Sequence, residues 1–526
     1  MALALSVPAA TQNSPKGVET RPKHAKAWIA SLPLTKMLQS ARLVCEHLAS
    51  LNRARIPADE RLELMEIYRP VLATLLDELD HVFTCSALPL PAKQREAFDL
   101  AHNLARECAY GYKHCILDKT SKLIALGARK TLPLPIYRTI GHLRQLLVQS
   151  YKIYSPVGPG IWQELNQLYA YCEEQAMLAE TPDPEMTASI QDLYMDAALL
   201  SLADPYRLMQ READKVLDLL AQTRGLAALG PMSANGTDPN TVFIVALDSD
   251  RAPRLLSNAL KDPAGKVLRA LDIGRLLERL KPRPQNQAGK SEMPARGRAT
   301  HDATDLIGRL ARLWGDPPKR QFRRNPAETS VALCSGIKAI AHFADLGEKE
   351  DPQAEAAAIQ SGTTLPLFRI PTDPVSTQVG VEEWTVLNQS ANGLRLHREP
   401  GGNVGITVGE ATGIRFIGGR GWNIGVVRWL NMLENNDLEF GLELISPSAH
   451  PIQIVPTIAG TGRAQAALKL PSMIQDDETE SLLTFPDTFS DLREFELDDG
   501  GQSRLVRATT LVEKTSRFEV FQFTAS

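Results

Sequence analysis

The spacing of apolar residues changes once along this chain, and the change limits the architectures open to it. Through residue 225 the large apolar side chains recur about every 3.6 residues, the period of a helix with one buried face. In 59–79 the stripe is Leu64, Tyr68, Val71, Leu72, Leu75 and Leu79, with Pro57 and Asp59 at its start and Pro70 expected to kink or divide it. Similar stripes occupy 137–154 (Leu143, Leu146, Leu147, Tyr151, Tyr154) and 161–180 (Trp162, Leu165, Tyr169, Cys172). From about residue 329 the period falls to two, and short apolar runs at 331–334, 383–387, 393–396, 413–416, 422–429 and 438–444 are separated by Gly, Asn and Asp. Such a chain is multidomain, α then β: a helical module, a small six-stranded antiparallel barrel, and a β appendage made of the further short runs after 448.

Between these regimes lies mixed material. Residues 241–247 read as an isolated buried strand, and 253–261 and 266–280 as helical patches. Residues 281–303 are polar, rich in Pro and Gly and nearly free of large apolar groups, which predicts a flexible linker, followed by a helix at 304–314. The expected boundaries are a disordered tail at 1–25, the helical module at 26–225, a mixed connection at 226–280, linker and short helix at 281–315, the barrel at 316–447 and the appendage at 448–526. The segment 343–379 reads as a loop inserted between the first two barrel strands.

A length of 526 residues fits two to four domains, and a net charge of −4 lacks the basic excess expected of a nucleic-acid binder, so DNA is not an expected partner. No run approaches the roughly 18 apolar residues of a membrane span, and the first residues lack the basic start of a secretory signal, so a cytoplasmic location is expected. The six cysteines form no C-x-x-C pair; Cys108, His114 and Cys115 lie close together but lack a fourth zinc ligand at recognisable spacing. Neither H-E-x-x-H nor G-x-S-x-G occurs, and the chain is expected to be a binder, not an enzyme, with no metal or cofactor.

Two segments carry recognition chemistry. Arg320-Gln321-Phe322-Arg323-Arg324 fits R-x-x-x-R, and Asn388-Gln389-Ser390-Ala391-Asn392-Gly393 fits [D/N]-x-S-x-x-G. Arg320 and Arg324 offer guanidinium forks that can pair with phosphate or with guanine O6 and N7, and Lys319 and Arg323 add positive potential. Asn388 can donate and accept at a guanine edge, Ser390 adds a hydroxyl, and Gly393 permits a positive φ or a close backbone approach.

With the strands around Gly425-Val426-Val427-Arg428-Trp429 and Glu439-Phe440-Gly441, these segments resemble a PilZ domain over about 316–447. PilZ domains are bacterial β-barrels, and the resemblance implies a receptor for cyclic di-GMP, bound by Arg320, Arg324, Asn388, Ser390 and Gly393 with Lys319, Arg323, Arg428 and Trp429 in support. The resemblance also implies that the residue just before the first motif influences whether one nucleotide or a stacked pair binds, and basic Lys319 mildly favours the pair. The chain departs from the usual pattern in the long gap between the motifs and in Asn for the more frequent Asp at 388. The resemblance further implies control of motility, pili, biofilm or exopolysaccharide through a protein partner held by the helical module. The alternative is a helical adaptor or chaperone-like scaffold that uses the barrel as a protein-interaction surface.

Overall fold

The computed structural model describes residues 3–11, 17–84, 86–121, 128–232, 242–256, 265–281, 299–315, 324–349, 380–402, 404–419, 421–433, 436–457, 464–471, 480–499, 501 and 503–526. The chain divides into two compact units, 1–86 with 90–319, and 87–89 with 320–526. Among the described residues the first unit holds eleven α-helices: α1 (Pro22–Ala30), α2 (Met37–Asn52), α3 (Ala58–Phe83), α4 (Ala92–Ser121), α5 (Ala128–Thr131), α6 (Pro133–Lys152), α7 (Ile161–Glu174), α8 (Ile190–Leu202), α9 (Glu212–Gln222), α10 (Gly274–Leu280) and α11 (Ala299–Gly315). Helix α4 packs against α2, α3 and α6 because its buried Ala101, Leu104, Ala105, Cys108, Tyr112, Cys115 and Ile116 recur at three- and four-residue steps. Gly111 keeps α3 close, since a Cβ there would lie 2.5 Å from Met65 Sδ. Helix α3 continues through Pro70 undivided. Ser189 and Asp192 close a capping box at the start of α8.

Four sequence expectations are corrected in this unit. The described part of the 1–25 tail is tied down: Ala4 N donates to Gln167 Oε1 at 3.0 Å, and Ser6 N and Oγ donate to Glu164 Oε1 at 2.7 and 2.6 Å. The strand at 241–247 is not isolated, because β2 (Val242–Ala246) lies inside an antiparallel sheet of order β1-β4-β2-β3, with β1 (Ala228–Pro231), β3 (Arg254–Leu255) and β4 (Leu268–Asp272). Strand β3 takes Arg254–Leu255 at the start of the patch 253–261, of which 257–261 lie outside the described residues; strand β4 stands where 266–280 read as helical, and only Gly274–Leu280 of that patch is helix, a short apolar run being ambiguous until its partners are known. Finally, the helix after the linker is longer than expected and docked, with Leu306, Leu310 and Trp314 buried and Trp314 Nε1 donating to Leu202 O at 2.9 Å. Residues 282–298 of the linker lie outside the described residues.

The second unit is two closed antiparallel barrels. The first runs β10-β7-β6-β5-β8-β9, from β5 (Asn325–Ser335), β6 (Glu382–Gln389), β7 (Gly393–Arg398), β8 (Ala411–Phe416), β9 (Asn423–Met432) and β10 (Leu438–Ser446). Val386, Leu396, Leu430, Phe440 and Leu442 are fully or nearly fully buried, alternating with outward residues along the strands. The appendage is itself a closed barrel, β11-β12-β13-β16-β15-β14, built from β11 (His450–Pro456), β12 (Gln465–Leu470), β13 (Ser481–Thr484), β14 (Glu494–Asp498), β15 (Ser503–Lys514) and β16 (Glu519–Ala525). Closure leaves neither barrel an open edge.

The expected loop at 343–379 is in part a helix, α12 (Ile337–Lys349); residues 350–379 lie outside the described residues. Helix α12 contacts β5 and β8 of the first barrel and β11 and β12 of the second. Ile337, Ile340 and Phe343 join Trp422, Ile424 and Val426 to Leu468, Leu470, Leu483 and Phe518 in one core. A Cβ on Gly413 would come within 2.8 Å of Cys334 Sγ and 3.3 Å of Ile340, so this strand can pass under the helix only with glycine there. This core covers the β8 side of the first barrel.

Candidate functional site

The two motifs are about sixty residues apart in sequence, and strand pairing joins their ends. Arg324 is exposed and immediately precedes β5, whose first pairs set Asn325 opposite Gln389 and Pro326 opposite Asn388. Arg324 therefore lies at the same end of the barrel as the Ser390 turn. Lys319, Arg320 and Arg323 lie outside the described residues. The turn is closed by Ser390 N donating to Gly393 O at 2.8 Å and Ser390 Oγ donating to the same oxygen at 3.3 Å. Gly393 is not among the positive-φ residues; its role is close approach, since a Cβ would sit 3.2 Å from Ser390 Oγ and 3.3 Å from Leu442 O.

Asn388 belongs to a row that crosses four strands. It pairs with Arg395, Arg395 with Gly441, and Gly441 with Trp429. Directly opposed residues of antiparallel strands share a face, so Asn388, Arg395 and Trp429 all point outward. Two β-bulges make this so. Val386 pairs with Leu396 and Asn388 with Arg395, which leaves Leu387 as the extra residue; Val427 pairs with Leu442 and Trp429 with Gly441, which leaves Arg428. Without the extra residue, Asn388 would follow Trp384 and Val386 into the core, and Trp429 would follow Val427. Gly441 is required beneath the indole: a Cβ there would collide with Trp429 Nε1. The result is an aromatic surface with an amide and a guanidinium at its side, suited to stacking a base and bonding its edge.

Two further cations of these strands, Arg428 and Arg398, are engaged. Arg428 Nε donates to Glu443 Oε2 at 2.6 Å, and its Nη2 donates to Glu513 Oε2 of β15 at 3.1 Å. Burial works against the Arg428 charge, but the Glu513 and Glu443 carboxylates hold the guanidinium above its ordinary value. Arg428 thus ties the two barrels together. Arg398 pairs with Glu382 and lies 4.4 Å over the Trp384 ring. Arg395 was missed by motif reading. The available signal was alternation, since Leu394 and Leu396 face inward and Arg395 between them cannot. Among the described residues no group of three or more His, Cys, Asp or Glu is placed to hold a metal ion, and no helix is long and apolar enough to cross a membrane.

Comparison with known proteins follows the same order along the chain. Residues 23–233 match the model described as cyclic-di-GMP receptor FimW, N-terminal domain; 242–359 and 372–451 match its middle PilZ domain; 452–526 match the FimW C-terminal beta-barrel domain. The cyclic-di-GMP receptor FimW of Pseudomonas aeruginosa is 24% identical over 99% of this chain and 93% of its own length. No solved structure matches the chain significantly. With a PilZ barrel between a helical domain and a second barrel, each matched in sequence order, the chain belongs to the family of PilZ-domain cyclic-di-GMP receptors.

Proposed function

We propose that the outer face of the first barrel binds cyclic di-GMP and that binding is relayed to a protein partner, with no chemistry carried out on the nucleotide. Arg320 and Arg324 neutralise its two phosphodiesters and stack on guanine, Asn388 and Ser390 read the guanine edge, and Trp429 supports a base. The observation that supports this most is the register of β5 on β6, Pro326 opposite Asn388, which sets the end of R-x-x-x-R beside the N-x-S-x-x-G turn. The helical unit is the natural place for a partner. Between α3, α6 and α9 it has an open groove of about 1180 Å³ lined by Leu72, Leu76, Val148 and Leu193 among charged residues.

Calorimetry on the full chain tests the binding reading. Cyclic di-GMP should bind at micromolar or tighter affinity, and Arg320→Ala or Arg324→Ala should each remove about 1.5–3 kcal/mol, the worth of hydrogen bonds to a charged group. Wild-type affinity in the double variant would overturn the assignment of the first motif.

A further inference from the structure

The ion pair between Arg395 and Glu439 lies on the face assigned above, and its surroundings are incompletely satisfied. Arg395 stands in the Asn388–Trp429 row, yet of its five N–H donors only Nη2 has a partner among the described residues, Glu439 Oε2; the buried Nε has none. The adjacent row runs Thr385, His397, Glu439, Asn431. There, too, two buried polar atoms lack a hydrogen bond among the described residues, Asn431 Oδ1 and His397 Nδ1, the latter 3.9 Å from Glu439 Oε1, and both residues are paired across the ladder with Glu439. Three orphaned polar atoms around one carboxylate are unusual, because buried polar groups are nearly always hydrogen-bonded and each exception carries a cost.

We propose that Arg395 is a further ligand-contacting residue for the cyclic dinucleotide and that Glu439 is an internal anion that competes for it. In the free protein Glu439 holds the guanidinium through Nη2. A phosphodiester or guanine O6/N7 edge brought in by Trp429 and Asn388 meets Nε and the remaining Nη donors in the planar fork such acceptors fit. Glu439 then gives up part of its hold on Arg395 and keeps His397 and Asn431 as neighbours. Arg395 therefore adds affinity, and Glu439 subtracts from it.

The proposal rests on the reading that cyclic di-GMP binds this face, and calorimetry of the full chain with cyclic di-GMP separates the two. With wild-type binding established, Arg395→Ala should weaken affinity about tenfold or more, and Arg395→Lys, which keeps the charge but loses the fork, should recover only part of it. Glu439→Gln should bind several-fold tighter than wild type, although both Arg395→Ala and Glu439→Gln lower the melting temperature by breaking the same pair. Opposite signs in affinity with the same sign in stability are what a purely structural ion pair cannot give. Unchanged affinity in Arg395→Ala, or equal weakening in Arg395→Ala and Glu439→Gln, overturns the proposal while leaving the face intact. Failure of the wild type to bind overturns the reading of the face and this inference with it.

Discussion

Asn388 faces the solvent because one extra residue, Leu387, is inserted in β6 just before it. The side chain is then free to read a base edge, which makes selectivity the property to measure at this position. Cyclic di-AMP should bind the wild type at least about tenfold more weakly than cyclic di-GMP, a difference of 1.4 kcal/mol, and Asn388→Ala should narrow the gap. Equal affinities of the wild type for the two nucleotides would mean that only phosphate charge is sensed. The letters of the second motif were legible in the sequence, but the orientation of its first residue was not. Strict alternation from Trp384 and Val386 points Asn388 into the core, and a bulge becomes visible only when the partner strand fixes the register. Trp429 shares that history through Arg428.

Helix α12 joins the two barrels through a shared core, so its apolar face should matter to both. Phe343 is 2% exposed and its ring lies 5.7 Å from that of Trp422. Phe343→Ala should cost about 3–5 kcal/mol, and denaturant unfolding should lose both barrels at lower concentration. A first barrel weakened alone, with the second unmoved, would show that the helix belongs to one barrel only. The sequence revealed the strands on either side but not this helix, which read as the start of a loop because its stripe Ile337, Ile340, Phe343 and Ala344 is barely two turns long. For the same reason 266–280 read as helical: Leu268 and Leu271 suit either period, and pairing of β4 with β1 and β2 makes the choice.

At the scale of the molecule, acid should act first on the helical unit. Burial pushes His142 down to about 4; burial with nearby Arg106 does the same to His102, and burial with nearby Arg61 to His114. All three are neutral when folded at pH 6, whereas an unfolded histidine begins to take a proton near 6.5. The unfolded state therefore binds more protons in this window, so stability is full above about pH 6.5 and is lost as the pH falls toward 4. Melting followed by helical circular dichroism should show that slope, reduced in a His142→Gln variant; an unchanged slope would mean that other groups drive the loss. The order of the parts, helices and then barrels, followed from the change of hydrophobic period. Closure of the C-terminal strands into a second barrel did not, because it depends on β14 returning to β11, a pairing without any local mark. Under the proposed function, residues far apart in the chain meet on one outer row of the first barrel to hold cyclic di-GMP. A crystal structure of the full chain with that nucleotide tests it directly. Ligand density is expected against Asn388, Ser390 and Trp429 with Arg324 drawn onto it; density in the groove between α3, α6 and α9, with this face bare, would overturn the assignment.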